Sequence, residues 1–148
     1  MTAISIDEGN VKLDNASDTL QDVSSSVISG TLDMTVNGAQ YHTLGSRWAK
    51  ANEGGLMGTV TLNYVNDTSA TSLAGYIREW MLDASAKGGA RSMQIQLPDG
   101  SAGSIQYDFE VKLGGSAQLV NKTAGAGDIE ELSITLNIDG AVTESTIT

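Results

Sequence analysis

Cysteine is absent from this 148-residue chain, and histidine occurs once, at His42. The first absence removes disulfides, thiolate metal sites and cysteine nucleophiles, and the second removes every metal site or catalytic array that needs two imidazoles. Basic residues are also scarce. Lys and Arg number 8 against 18 Asp and Glu, so the net charge is −10 and attraction to nucleic-acid phosphates or an anionic membrane is not expected. No stretch approaches the roughly 18 apolar residues of a membrane span, and the first ten residues lack the basic start and apolar run of a signal peptide. The expectation is a soluble chain without an export signal, long enough for one domain and too short for two. Proline occurs once and aromatics make up 5%, whereas glycine reaches 17 residues. Small and polar residues around short apolar runs favour a mainly β chain over a helical bundle.

Residues 1–30 carry five acids against Lys12, a Ser24-Ser25-Ser26 tract and scattered apolar residues such as Val11, Leu13 and Val23. They read as a weakly structured N-terminal arm, parts of which add to a sheet edge in this subunit or a neighbour. Residues 31–148 read as the folded domain. Leu32, Met34 and Val36 alternate with polar residues, and Asn37-Gly38 is the turn signal of a tight hairpin, returning over 40–44. A long loop over 45–55 follows, then Val60, Leu62 and Tyr64 alternate with Thr59, Thr61 and Asn63.

The period changes between Thr71 and Lys87, where Leu73, Tyr76, Ile77, Trp80 and Met81 recur at steps of three and four. This predicts one amphipathic helix of about 24 Å with that stripe as its core face, N-capped by Ser69, Thr71 or Ser72 and stopped by Gly88-Gly89. Beyond it, Met93, Ile95 and Leu97 alternate with Gln94 and Gln96, and Pro98-Asp99-Gly100 turns the chain into a longer alternation of Ile105, Tyr107, Phe109, Val111 and Leu113 with Gln106, Asp108, Glu110 and Lys112. Gly114-Gly115 reads as its break, with a short strand over 117–122. A final strand with Leu132, Ile134, Leu136 and Ile138 ends at Gly140. The expected architecture is a β-sandwich or barrel of about seven antiparallel strands with one packed helix, each main strand having one apolar and one polar face.

Little in this pattern carries chemistry. His42 reads as an edge-strand residue, because no nucleophile elbow of the G-x-S-x-G kind exists for it to serve as base. Asp108 and Glu110 share one strand face, a spacing that could place paired carboxylates for glycosidic hydrolysis, but with Gln and Ser beside them and no cluster of aromatic sugar platforms they read as a solvated face. The acids of the arm do not follow a calcium-loop pattern, and the glycine pairs follow neither phosphate-binding fingerprint. No cofactor or metal is expected. The loop over 45–55 stands out because Arg47 and Lys50 flank Trp48, with Glu53 nearby, in an otherwise acidic chain. Tryptophan beside arginine is a composition typical of binding anchors; the other reading has Trp48 folded back over one end of the sandwich.

The order of elements, a hairpin, a long loop, a strand, one amphipathic helix, a long-strand hairpin and the closing strand Glu131–Val142, resembles bacteriophage major tail tube proteins, the non-contractile siphophage type above all, over residues 29–143. Secretion-system tube proteins share that fold. The resemblance implies a virion protein made in the host cytoplasm, not an enzyme, whose subunits form hexameric rings stacked into a tube that conducts the genome without binding it. Its implied partners are further copies of itself and the tail tip, tape measure and terminator proteins, with no membrane. It implies a continuous barrel around the lumen, the helix outside, and loops and arms linking rings. The loop residues Arg47, Trp48, Lys50 and Glu53 are then candidates for inter-ring contact, and Gln106, Asp108 and Glu110, with Thr59, Thr61, Asn63, Gln94 and Gln96, are candidates for the wall. Two readings from other classes stand beside it, a monomeric β-sandwich binding module and a small hydrolase acting through Asp108 and Glu110.

Overall fold

The computed structural model describes residues 9–52, 54–82, 89–121 and 129–148. Nine strands and one α-helix follow in the order β1 (Asn10–Asp14), β2 (Leu20–Asp22), β3 (Val27–Val36), β4 (Ala39–Tyr41), β5 (Lys50–Asn52), β6 (Leu56–Val65), α1 (Leu73–Leu82), β7 (Arg91–Leu97), β8 (Ile105–Ala117) and β9 (Glu131–Thr146). Seven of the strands form one antiparallel sheet, ordered β2-β1-β7-β8-β9-β6-β3, and β4 and β5 form a separate two-stranded ribbon.

The sheet has two wings joined by the β8–β9 ribbon. Residues 105–111 of β8 pair with β7, and residues 131–137 of β9 pair with β6, so each strand of the ribbon carries a different wing. Two bulges divide the ribbon. Asp108 lies opposite Thr143 and Glu110 opposite Asp139, so β9 has three residues against one of β8; beyond Leu113, opposite Leu136, the excess is on β8. Each bulge contains a glycine in the left-handed region, Gly140 (φ +92°) and Gly115 (φ +76°), a conformation that a side chain would strain. Both glycines were expected to end strands. They bend them instead, and the alternation resumes beyond each.

Period-2 patterning turns one face of both wings onto a shared core. Leu13 and Met93 from one wing, Val60, Leu62, Tyr64, Leu132, Ile134 and Leu136 from the other, and Phe109 and Val111 from the ribbon are buried with the helix. Helix α1 begins where Ser72 Oγ accepts the Gly75 N–H at 3.1 Å. Leu73, Tyr76, Ile77 and Trp80 are buried and Met81 is half-buried. The expected helix runs on to 87, but residues 83–88 lie outside those described. The Arg91 guanidinium stacks 4.8 Å from the centre of the Trp80 ring, holding the helix to the start of β7.

Two expectations are corrected. First, Asn37-Gly38 does not close a hairpin between 31–36 and 40–44. β3 pairs along its length with β6, Val36 facing Leu56, while Ala39 faces Asn52 in the β4–β5 ribbon. The segment from 27 to 65 is therefore one long hairpin interrupted at Asn37, whose N–H still reaches Gly55 O at 3.0 Å. The partner of β3 begins 18 residues beyond the turn signal at Asn37-Gly38, and the pairing wins because β6 extends the apolar face of β3 over ten residues. Second, residues 10–30 are not a loose arm. β1 lies between β2 and β7, Leu13 and Val23 are fully buried, and the β1–β2 turn is tied by Asn15 Oδ1, which accepts the N–H groups of Ser17 (2.9 Å) and Thr19 (3.2 Å). Ser24, from the serine tract, accepts the Val11 N–H at 2.8 Å, and Asp22 Oδ1 accepts from both Ser24 N (2.9 Å) and Ser24 Oγ (2.6 Å). Residues 1–8 of the expected arm lie outside those described.

Trp80→Ala removes the largest fully buried side chain and is expected to cost about 3–5 kcal/mol in chemical denaturation; loss of a few tenths would mean that the helix is packed through another face. The hydrogen bonds from Ser24 hold the Asp22 carboxyl below its ordinary 3.8. That contribution is present above 3.8 and is lost as pH falls through the lower folded value. Asp22→Asn should accordingly flatten the fall of melting temperature with pH at the acid end, and an unchanged acid profile would refute the link.

Candidate self-assembly surfaces

Outside the core the sheet presents two surfaces, one apolar and uncovered, the other polar and ordered. The uncovered surface starts at β3. This ten-residue edge strand is paired only on its β6 side, and nearly all of it is exposed. Its register puts Met34 opposite Gly58 and Val36 opposite Leu56 on the same face as the buried Val60 and Leu62, yet Met34, Val36 and Leu56 are exposed. The apolar stripe thus runs past the end of the core, and among the described residues nothing covers it. Long free edges and uncovered apolar stripes are features of surfaces that receive another chain.

The stripe leads into the β4–β5 ribbon, whose tip holds the loop residues. Arg47, Trp48 and Lys50 are all exposed, Trp48 at 81%. Ser46 Oγ accepts the Trp48 N–H at 3.2 Å, which shapes the turn that presents the indole. Trp48 is therefore turned outward and does not fold back over the sandwich. Tyr41, Leu44 and His42 are exposed beside it, and residues 39–52 contain no acid. Glu53 lies outside the described residues. Sequence reasoning found the anchor but not its mount, a ribbon projecting from the sheet, because the pairing of β4 with β5 across eight residues has no turn motif to announce it.

The polar surface is built by register. Gln94 faces Asp108, Gln96 faces Gln106 and Ser92 faces Glu110 across β7 and β8. Gln94 Nε2 donates to Asp108 Oδ1 at 2.7 Å, Gln106 Nε2 to Asp108 Oδ2 at 2.8 Å, Gln96 Nε2 to Gln106 Oε1 at 2.8 Å, and Ser92 Oγ to Glu110 Oε1 at 2.5 Å. Asn10 Nδ2 extends the chain of amides to Gln96 Oε1 at 3.3 Å. Both Asp108 oxygens are thus engaged by amides, an arrangement that makes a firm polar face. On the other wing, Thr59 faces Asn137, Thr61 faces Thr135 and Asn63 faces Ser133, with Asn63 Nδ2 donating to Ser29 Oγ at 2.8 Å. The wall candidates therefore divide between two wings, a split that strand patterning does not reveal because every strand alternates alike. Among the described residues no group of His, Asp and Glu is placed to hold a metal ion, and no helix is long and apolar enough to cross a membrane.

No family model and no curated protein matches the chain. Solved structures do. A chain of the SPP1 tail tube superposes with a TM-score of 0.68 at 9% identity, covering 99% of this chain and 81% of that one. This is the tail tube fold. A chain from the tail of an empty gene transfer agent particle, refined with C6 symmetry, gives a TM-score of 0.67 at 13% identity, covering 97% and 99% of the two chains. One from the sheath–tube complex of an extracellular contractile injection system, PVC, gives 0.71 at 12% identity, covering 98% and 93%. The tail tube fold thus spans nearly the whole chain, including the segment expected to be a separate arm. Since the likeness extends to a contractile system, the fold does not single out the non-contractile type.

The geometry assigns the two tryptophans opposite environments. In the free subunit, Trp48→Phe should abolish the emission accessible to acrylamide while Trp80→Phe leaves it, as a quenching titration checks; quenching that survives Trp48→Phe would mean that the ribbon tip is folded onto the body.

Proposed function

We propose that the chain is the structural subunit of a tail tube, assembling with copies of itself into six-membered rings that stack into a conduit for the genome. The observation that carries this reading is the tail tube fold over nearly the full chain, shared with chains of assemblies that include one of C6 symmetry. The surfaces support it independently. A free ten-residue edge and an uncovered apolar stripe are liabilities on a monomer and assets on a subunit that joins its neighbour through added strands.

In this reading β3 joins the next subunit of the ring, and the β4–β5 ribbon reaches the adjacent ring. Trp48 is the anchor of that contact, with Arg47 and Lys50 meeting carboxylates of a second copy, an attraction that the acidic body of the chain makes available everywhere outside the ribbon. Tail tip, tape measure and terminator proteins are the further partners, the virion tail is the location, and DNA is a passenger rather than a ligand. The role is mechanical, with no chemistry asked of His42, Asp108 or Glu110.

Purified protein, concentrated or seeded with a tail tip complex, is expected to form rings or tubes visible by negative-stain microscopy. A chain that stays monomeric under both conditions overturns the proposal and favours the binding-module reading. The double variant Arg47→Ala, Trp48→Ala should keep its fold by circular dichroism and lose tubes, while rings persist; normal tubes from it would remove the ribbon from the stacking contact.

A further inference from the structure

The two wings turn their apolar faces onto one core, so their polar faces point in opposite directions. In a closed ring one of them lines the enclosed space and the other lies outside. We infer that the conduit wall is the hydroxyl- and amide-rich, less acidic face of the β3–β6–β9 wing, and that Asp108 and Glu110 lie on the outer surface. This rests on the tube reading and goes beyond it by selecting the wing.

Three observations carry the assignment. The first is the edge. The β3–β6–β9 wing ends in a free strand of ten residues, whereas the other ends in β2, with three. A barrel that continues from subunit to subunit needs a long ladder, and only β3 supplies one of that length at the end of a wing. The second is bulk. Helix α1 and the β1–β7 wing both lie on the apolar side of β6, through the contacts of Val60, Leu62 and Tyr64 with the core. Six copies closed into a ring have more room on the outside, so the bulk goes there and the bare polar face of β6 goes within.

The third is charge. The polar face of the β3–β6–β9 wing carries Thr31, Thr59, Thr61, Asn63, Thr135 and Asn137, and its charges are Asp33 and Glu131 with, from the ribbon, Lys112, which sum to −1. The other wing's polar face carries Asp14, Asp22, Asp108 and Glu110 against Lys12, which sum to −3. Six copies of the second face turned inward would crowd like charges across a narrow space, and turned outward they diverge into solvent. Six copies of the first face make a wall of smaller net charge, with little to hold a polyanion by counterion release.

The absence of native cysteine allows a direct test. Single-cysteine variants Asn137→Cys and Thr61→Cys mark the proposed wall, and Glu110→Cys marks the proposed exterior; Asn137 and Glu110 are exposed, so neither change disturbs the core. Each is treated, as free subunit and as purified tube, with a small maleimide dye and with maleimide coupled to streptavidin, which is too large to travel along the lumen. The expected result is that Asn137→Cys and Thr61→Cys lose reaction with the streptavidin conjugate on assembly and keep reaction with the dye, while Glu110→Cys keeps both. Conjugate labelling of Asn137→Cys tubes along their length, or its loss from Glu110→Cys tubes, overturns the assignment with the tube reading intact. Failure of the unmodified chain to form tubes at all overturns both.

Discussion

The β8–β9 ribbon is the constraint on which the rest of the molecule depends. Among the described residues it alone is paired into both wings, and its two glycine bulges let a single antiparallel sheet turn and enclose its own core. An unbulged ribbon of this length would keep one apolar face flat and open, with a ten-residue helix too small to cover it. With the bend, Leu13 and Met93 of one wing and Val60 and Leu62 of the other reach the same cluster, and Trp80 fills the space at the centre. Each fully buried apolar side chain contributes on the order of 1.5–3 kcal/mol, so the bulges act on stability through everything that they bring together.

What the bend does not cover is as informative as what it does. The core ends near Val60, but β3 and β6 run on through Met34, Val36 and Leu56, and the β4–β5 ribbon continues the projection to Trp48. The described residues therefore leave apolar surface and an unpaired edge exposed. Acidity elsewhere on the chain provides the balancing term. Net charge of −10 favours repulsion between copies, and the acid-free ribbon with Arg47 and Lys50 departs from that acidity.

Much of the fold is legible in the residues themselves. The alternations at 59–64, 91–97, 105–113 and 132–138 are strands, the three-and-four stripe from Leu73 to Met81 is the helix, and Trp48 between Arg47 and Lys50 is an exposed anchor. The errors share one cause, which is that turn signals are local and pairing is not. Asn37-Gly38 has the composition of a hairpin turn, yet β3 gains more by pairing with β6 over ten residues than with β4 over three. Gly114-Gly115 and Gly140 have the composition of strand ends, yet flanking apolar residues on both strands carry the ladder past them. The N-terminal strands were obscured by acids and serines, whose work in tying Asn15 to Ser17 and Thr19, and Asp22 to Ser24, appears only when partners are placed.

The sequence by itself determined which faces of each strand are apolar, where the single helix lies, and that catalytic and metal chemistry requiring cysteine or paired histidines is excluded, because period, composition and absence are properties of the chain before it folds. Tertiary structure alone decided which polar faces belong together. Thr61 and Asp108 are equivalent in pattern, each a polar residue between apolar neighbours, and nothing local separates them. They part company because the ribbon bends between their wings, sending one face each way, and that direction is set by long-range pairing rather than by any residue's own preference.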